Sequence, residues 1–217
     1  MPLFDCRDET TRAEGLLAAQ RTLAAGRLAV LPTDTVYGIA ADAFSPPAVQ
    51  ALLDAKGRGR QMPPPVLIGS PATLDALAVD VQPWLREIVT RHWPGPLTVI
   101  CRQQPSLSWD LGETHGTVAV RVPDDPIALD LLAQTGPLAV SSANTTGDAA
   151  AQTVEDAQRM LGEAVDVYLD GGPIGSGVPS TILDATGATP RILRAGGVTL
   201  EQLHEVNNTI QDEGTPG

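Results

Sequence analysis

The side chains best suited to chemistry in this sequence fall into a few short stretches. Lys56-Gly57-Arg58-Gly59-Arg60 puts three cations into five residues. Lys and Arg neutralise oxyanions, and Gly lets the backbone come close to them, so this stretch could hold a polyphosphate. A solvated helix terminus would read the same way, because cations also favour the C-terminal end of a helix dipole. Lys56 is the only lysine beside thirteen arginines. It fits a site that needs a compact point charge rather than a planar fork, though chance would also place one. Leu31-Pro32-Thr33-Asp34-Thr35-Val36-Tyr37-Gly38 gathers three hydroxyls, a carboxylate and a glycine behind a proline that cannot donate to a strand ladder. It reads either as a capped turn between strand and helix or as a loop presenting polar groups to a small ligand at a strand's C-terminal end.

Further candidates follow downstream. Ser141-Ser142-Ala143-Asn144-Thr145-Thr146 carries five hydroxyl or amide side chains, which a Ser- and Asn-rich turn would also explain. The stretch 170–181 has four glycines and ends in Ser180-Thr181, but it lacks the Gly-Lys-Ser/Thr of a P-loop. Arg194-Ala195-Gly196-Gly197 adds one cation. Arg121 sits inside the apolar run Val118–Val122, so its guanidinium must find a partner, either a bound carboxylate or a structural Asp. His92, His115 and His204 fit no triad or metal spacing and read as structural or surface residues. Trp84, Trp93 and Trp109 read as core or loop anchors.

These stretches need elements to hold them. Apolar spacing and caps predict helices from Thr10/Thr11 to Ala25, from Ser45-Pro46 to Ala55, from Ser70-Pro71 through Leu77, over Pro83–Trp93 and Pro126–Gln134, from Thr153 to Leu161 and over Thr199–Val206. Short apolar runs predict strands at 28–31, 65–68, 97–101, 117–122, 137–141, 165–169, 181–184 and 191–193. Helices alternating with strands favour one layered α/β domain over residues 1–206. Residues 207–217 are polar and Gly/Pro-containing and read as a disordered tail.

Composition narrows the function classes. The chain has 217 residues, a formal net charge of -12 and mean hydropathy +0.01. Residues 27–121 carry eight basic and eight acidic groups, while residues 122–217 carry three basic and fourteen acidic ones. Any anion-binding capacity therefore belongs mainly to the first half, and broad electrostatic binding of nucleic acid is disfavoured. No apolar run approaches a membrane helix. The N-terminus does not read as a signal peptide, and Cys6 and Cys101 read as reduced thiols, so a cytoplasmic protein is expected.

Taken in order, the segments resemble the Sua5/YrdC/YciO family over about residues 10 to 200. The resemblance rests on Pro32–Gly38, Lys56-Gly57-Arg58, Trp93-Pro94-Gly95-Pro96-Leu97-Thr98, Val118-Ala119-Val120-Arg121-Val122-Pro123, Ser142-Ala143-Asn144, Pro179-Ser180-Thr181-Ile182-Leu183-Asp184 and Ile192-Leu193-Arg194-Ala195-Gly196. Each motif alone is weak, whereas seven in register are specific. The resemblance implies a twisted mixed β-sheet with flanking helices and an open concave ligand cavity. It implies the short, YrdC-like threonylcarbamoyl-AMP synthase form, a nucleotidyltransferase that joins L-threonine, bicarbonate and ATP into threonylcarbamoyl-adenylate and pyrophosphate. A tRNA-threonylcarbamoyl transferase complex then uses the product to modify adenosine 37 of ANN-decoding tRNAs. By resemblance Thr33, Tyr37, Arg121 and Ser180 bind threonine. Lys56 and Arg58 are catalytic and, with Ser142, Asn144 and Arg194, bind ATP, which Mg²⁺ accompanies. No protein-held metal site is expected, and tRNA binding is expected to be weak. The pattern departs from the family at Gly59 (commonly Pro), Asp34 (commonly Glu), Ser141 (commonly Pro) and Pro63-Pro64-Pro65, where the family usually has Pro-Leu after the Lys-x-Arg-Pro run. Two alternatives stand: a YciO-type paralogue with a different acceptor, and an RNA-binding module without synthase activity.

Overall fold

The computed structural model describes residues 1–175 and 177–213. In chain order the elements are β1 (Leu3–Asp5), α1 (Glu9–Ala24), β2 (Ala29–Leu31), β3 (Gly38–Asp42), α2 (Pro46–Ala55), β4 (Val66–Leu67), α3 (Leu74–Leu77), β5 (Ala78–Val79), α4 (Pro83–His92), β6 (Leu97–Gln103), β7 (Thr117–Arg121), α5 (Pro126–Thr135), β8 (Leu138–Ser142), α6 (Val154–Leu161), β9 (Val167–Asp170), β10 (Thr181–Asp184), β11 (Arg191–Arg194), α7 (Leu200–His204) and β12 (Gln211–Asp212). The strands form one sheet in the order β1-β9-β2-β3-β8-β4-β7-β6-β10-β11-β12, with β5 also paired to β6. β4/β7 and β6/β10 are parallel, while β2/β3, β3/β8 and β6/β7 are antiparallel. This is the mixed sheet with flanking helices that was expected.

Helix starts follow local side-chain chemistry. Ser45, Asp125 and Thr153 each accept a hydrogen bond from a first-turn N–H, with Pro opening α2 and α5. Thr199 and Gln202 close a capping box on α7. α1 begins one residue before the expected threonines, because the Asp8 carboxylate accepts from Thr11 N at 2.9 Å.

Four strands, β1, β3, β5 and β12, were not among those expected. β3 is Gly-Ile-Ala-Ala-Asp, and Gly and Ala are depleted in strands. It forms because it lies between β2 and β8, where small side chains fit: a Cβ on Gly38 would come within 2.7 Å of Val140 Cγ1. Leu31–Gly38 is therefore a connection between antiparallel strands, not a strand-to-helix turn. β1 adds to the sheet edge beside β9. Residues 207–213, read as unstructured, instead pack back. Ile210 is buried and β12 pairs in parallel with β11. Residues 214–217 lie outside the described residues.

The central strands bury both faces. On β2, Ala29 and Leu31 pack towards α1 and α5, while Val30, with Leu28 just before the strand, packs towards α2 and α6. Each fully buried Leu or Ile contributes about 1.5–3 kcal/mol relative to exposure. A third cluster sets α4 (Leu85, Ile88, Val89) and Leu203 of α7 against β6, β7 and β10. No helix among the described residues is long and apolar enough to cross a membrane.

Candidate functional site

Successive side chains of a strand point to opposite faces. Val99 and Cys101 of β6, Val118 and Val120 of β7 and Leu183 of β10 face the third cluster. The alternate residues Thr98, Ile100, Thr117, Ala119, Arg121 and Ile182 line a cavity of about 430 Å³ on the other side. Thr33, Arg58, Ser142, Ser180 and Arg194 join them from the strand ends and loops. Leu31–Gly38, Ser141-Ser142 and Pro179-Ser180 are thus brought to one place by the sheet order, since Gly38 pairs with Ser142 and Leu67 with Arg121. A second cavity of about 460 Å³ lies around Asp80, Trp84, Arg102 and Thr186. Among the described residues that line it, the one cation is the exposed Arg102, and none is a candidate residue.

Arg121 is 6 % exposed, so its partners decide whether it is tolerated. Its Nη2 donates to Asp34 Oδ1 at 2.5 Å, its Nη1 to Thr35 Oγ1 at 3.0 Å and its Nε to Gly95 O at 3.0 Å. The partner is thus a structural Asp. A guanidinium has five N–H donors, so two stay available on the cavity wall. Burial lowers its pKa and the Asp34 charge opposes that.

Arg58 donates from Nη1 to Ser141 Oγ at 2.9 Å, while its buried Nε has no hydrogen-bond partner among the described residues. Arg194 donates from Nε and Nη2 to Ser180 O, at 3.0 and 2.8 Å, and from Nη2 to Ser180 Oγ at 3.0 Å. Ser180 Oγ also lies 2.9 Å from Thr98 Oγ1. Burial first, then the charges of Arg121 and Arg58, lower the Arg194 pKa. Three guanidinium groups therefore surround one cavity within each other's field.

Lys56 and Asn144 stand behind the wall, whereas Tyr37, like Thr33, lines the cavity. Lys56 is 2 % exposed and does not line the cavity. Its ammonium donates to the carbonyls of Ser142 and of Asn144, the latter at 2.5 Å, and to Asn144 Oδ1 at 3.4 Å. Burial, then Arg58, pushes its pKa down to about 8. Asn144 lies behind the wall too, donating to Thr145 O and Asp148 O. Both fix the turn after β8 and leave Ser142 at the cavity, with a hydroxyl unpartnered among the described residues. The Tyr37 hydroxyl donates to Gly172 O at 2.7 Å and accepts from Gly171 N, tying the glycine loop to β3. Thr33 Oγ1 donates to Val36 O at 2.6 Å and accepts from Val36 N at 3.3 Å. Both residues line the cavity while their hydroxyls are engaged with the protein's own backbone.

A model of the Sua5/YciO/YrdC family, described as "Telomere recombination", matches residues 21–196. The chain belongs to that family. It is 52 % identical over 208 residues to a candidate threonylcarbamoyl-AMP synthase of Mycobacterium leprae (strain TN), covering 96 % of this chain and 94 % of that one. It is 36 % identical to the threonylcarbamoyl-AMP synthase of Bacillus subtilis (strain 168), covering 95 % of this chain but 60 % of that longer protein. Among solved structures, Pyrococcus abyssi Sua5 complexed with L-threonine superposes with a TM-score of 0.90 at 31 % identity, over 98 % of this chain and 62 % of that one.

Within this Sua5/YciO/YrdC chain, sequence reasoning missed Thr98, Leu111 and Thr117 on the cavity wall and Thr35 as the holder of Arg121. A period-2 reading of 117–121 carried the signal for Thr117, because alternate residues there share the face of Arg121. Leu111 comes from the irregular link between β6 and β7, where no periodicity reveals it.

Proposed function

We propose that this chain is a threonylcarbamoyl-AMP synthase. The observation that carries it is the convergence of Arg58, Arg121 and Arg194 with the Ser142 and Ser180 hydroxyls on one cavity, in a chain matching a relative of that name almost end to end. Threonine's amine adds to CO₂ with loss of a proton, or displaces water from bicarbonate, to give a carbamate. A carbamate oxygen then attacks the α-phosphorus of ATP, and pyrophosphate leaves. The nucleophiles belong to the substrates, so the protein supplies positioning and charge stabilisation rather than a covalent intermediate. That accounts for a site of guanidiniums and hydroxyls in which no Ser or Cys among the described residues is paired with a base.

Arg121 receives the threonine carboxylate through its two remaining N–H groups, with Ser180 nearby. Arg58, Arg194 and Ser142 receive the polyphosphate. Lys56 and Asn144 act by shaping the turn that presents Ser142, and Tyr37 by anchoring the glycine loop. Among the described residues no cluster of three His, Cys, Asp or Glu could hold a metal ion. Mg²⁺ fits here as an ion held by the phosphates and water, which is its common mode in nucleotide sites, and there it neutralises phosphate charge. A transferase acting on tRNA consumes the adenylate, and a cytoplasmic location fits that substrate.

Pyrophosphate release is expected to require both threonine and bicarbonate. Arg58→Ala should lower kcat/KM for ATP roughly 100-fold with the fold intact by circular dichroism. Turnover of ATP indifferent to threonine would overturn the assignment.

A further inference from the structure

Arg58 has one side-chain anchor in the wall, the Ser141 hydroxyl. It follows Gly57, whose φ is +59°, and precedes Gly59 and the exposed Arg60. Backbone of this kind does not fix a guanidinium by itself. Arg58 N donates to Leu53 O at 2.9 Å, which fixes the near side of the 56–62 loop, and the link between β6 and β7, residues 104–116, holds its far side at Arg60.

We infer that Trp109–Glu113 is a clamp that sets the position of Arg58 through Arg60, with Asp110 and Gly112 as positioning residues for ATP. Two contacts grip Arg60. Glu113 N donates to its carbonyl at 2.8 Å. Asp110 Oδ1 accepts from its Nη2 at 2.6 Å and from Gly112 N at 3.0 Å. Gln50 of α2 holds the other side of the same guanidinium, its Oε1 accepting from Nη1 at 3.1 Å. Gly112 has φ +109°, and a Cβ there would come within 2.6 Å of Arg60 O. A side chain at Gly112 would therefore force that backbone or the Arg60 carbonyl to shift. The clamp is itself moored at its first residue, where the Trp109 ring stacks on Phe44 with centroids 5.5 Å apart. Between the moorings, Leu111 is 2 % exposed and forms part of the cavity wall. One short segment thus builds a wall of the site and grips the residue two positions beyond Arg58. An exposed ion pair adds little to stability, so the clamp's effect belongs to geometry at the site.

The inference rests on the synthase reading for its kinetic readout, and nucleotide binding separates the two. ATP binding by calorimetry, together with KM for ATP and for threonine, is measured for wild type, Asp110→Ala, Gly112→Ala and Asp110→Glu. Asp110→Ala and Gly112→Ala should weaken ATP binding and raise KM for ATP roughly ten-fold, with KM for threonine changed less than about two-fold. Asp110→Glu should recover most of the loss, which a merely structural role would not require. ATP binding unchanged in both Ala variants would overturn the clamp. A parallel rise of both KM values with a lowered melting temperature would also overturn it, since that is general loosening. Wild type that binds ATP but releases no pyrophosphate with threonine would sink the synthase reading while leaving the clamp judged by binding alone. Wild type that binds no ATP would overturn both.

Discussion

At the scale of single residues, Arg121 and Asp34 carry the sharpest consequence. Their side chains are 8 % and 14 % exposed, and Asp34 also accepts from Asp124 N at 3.0 Å. Removing one member of such a pair leaves the other charge without compensation. Asp34→Ala should therefore cost about 3–5 kcal/mol in urea unfolding. Asp34→Asn, which keeps an acceptor oxygen, should cost less. Equal stability of Asp34→Ala and wild type would mean that the guanidinium turns to water instead. Arg121 was legible in the sequence because a charge inside an apolar run demands a partner. Which partner it takes was not, since Asp34 lies 87 residues away and meets it only through sheet order. For Lys56 it was the contacts that could not be read. Its type and spacing suggest a ligand contact, yet its three donors go to carbonyl and amide oxygens behind the wall.

At the scale of elements, the caps and prolines that mark α2, α5, α6 and α7 are local chemistry and were readable as such. β3 and β12 were not, because their sequences lack strand propensity and their pairing is decided by neighbours distant in the chain. The same dependence on neighbours governs the turn after β11. A Cβ on Gly196 would lie 2.3 Å from Pro179 O and 2.5 Å from both Ser180 C and Thr181 N. Those are backbone atoms, so they cannot swing aside. Gly196→Ala should destabilise the fold by about 1–3 kcal/mol and displace Ser180 together with Arg194, which holds its carbonyl. A melting curve paired with kcat/KM tests this. An active, fully stable variant would show that the turn can move without disturbing the cavity.

At the scale of the whole molecule, charge sets the terms for any nucleic acid. Net charge is -12, and the excess lies in residues 122–217. The three cavity arginines are a local exception, and in the proposed reading they meet small anions. Binding of tRNA should therefore be weaker than about 10 μM at physiological salt and should fade further as salt rises. A titration showing tight, salt-resistant binding would contradict that and favour a dedicated RNA surface. The sheet also links folding to function in a measurable way. Arg121 reaches the cavity only because β7 alternates in step with β4 and β6, with Val120 facing the core. A slip of one residue would exchange the two. Mispaired molecules would then be silent rather than sluggish, so titrating active sites counts correctly registered chains: a flawed preparation should show fewer sites at unchanged KM.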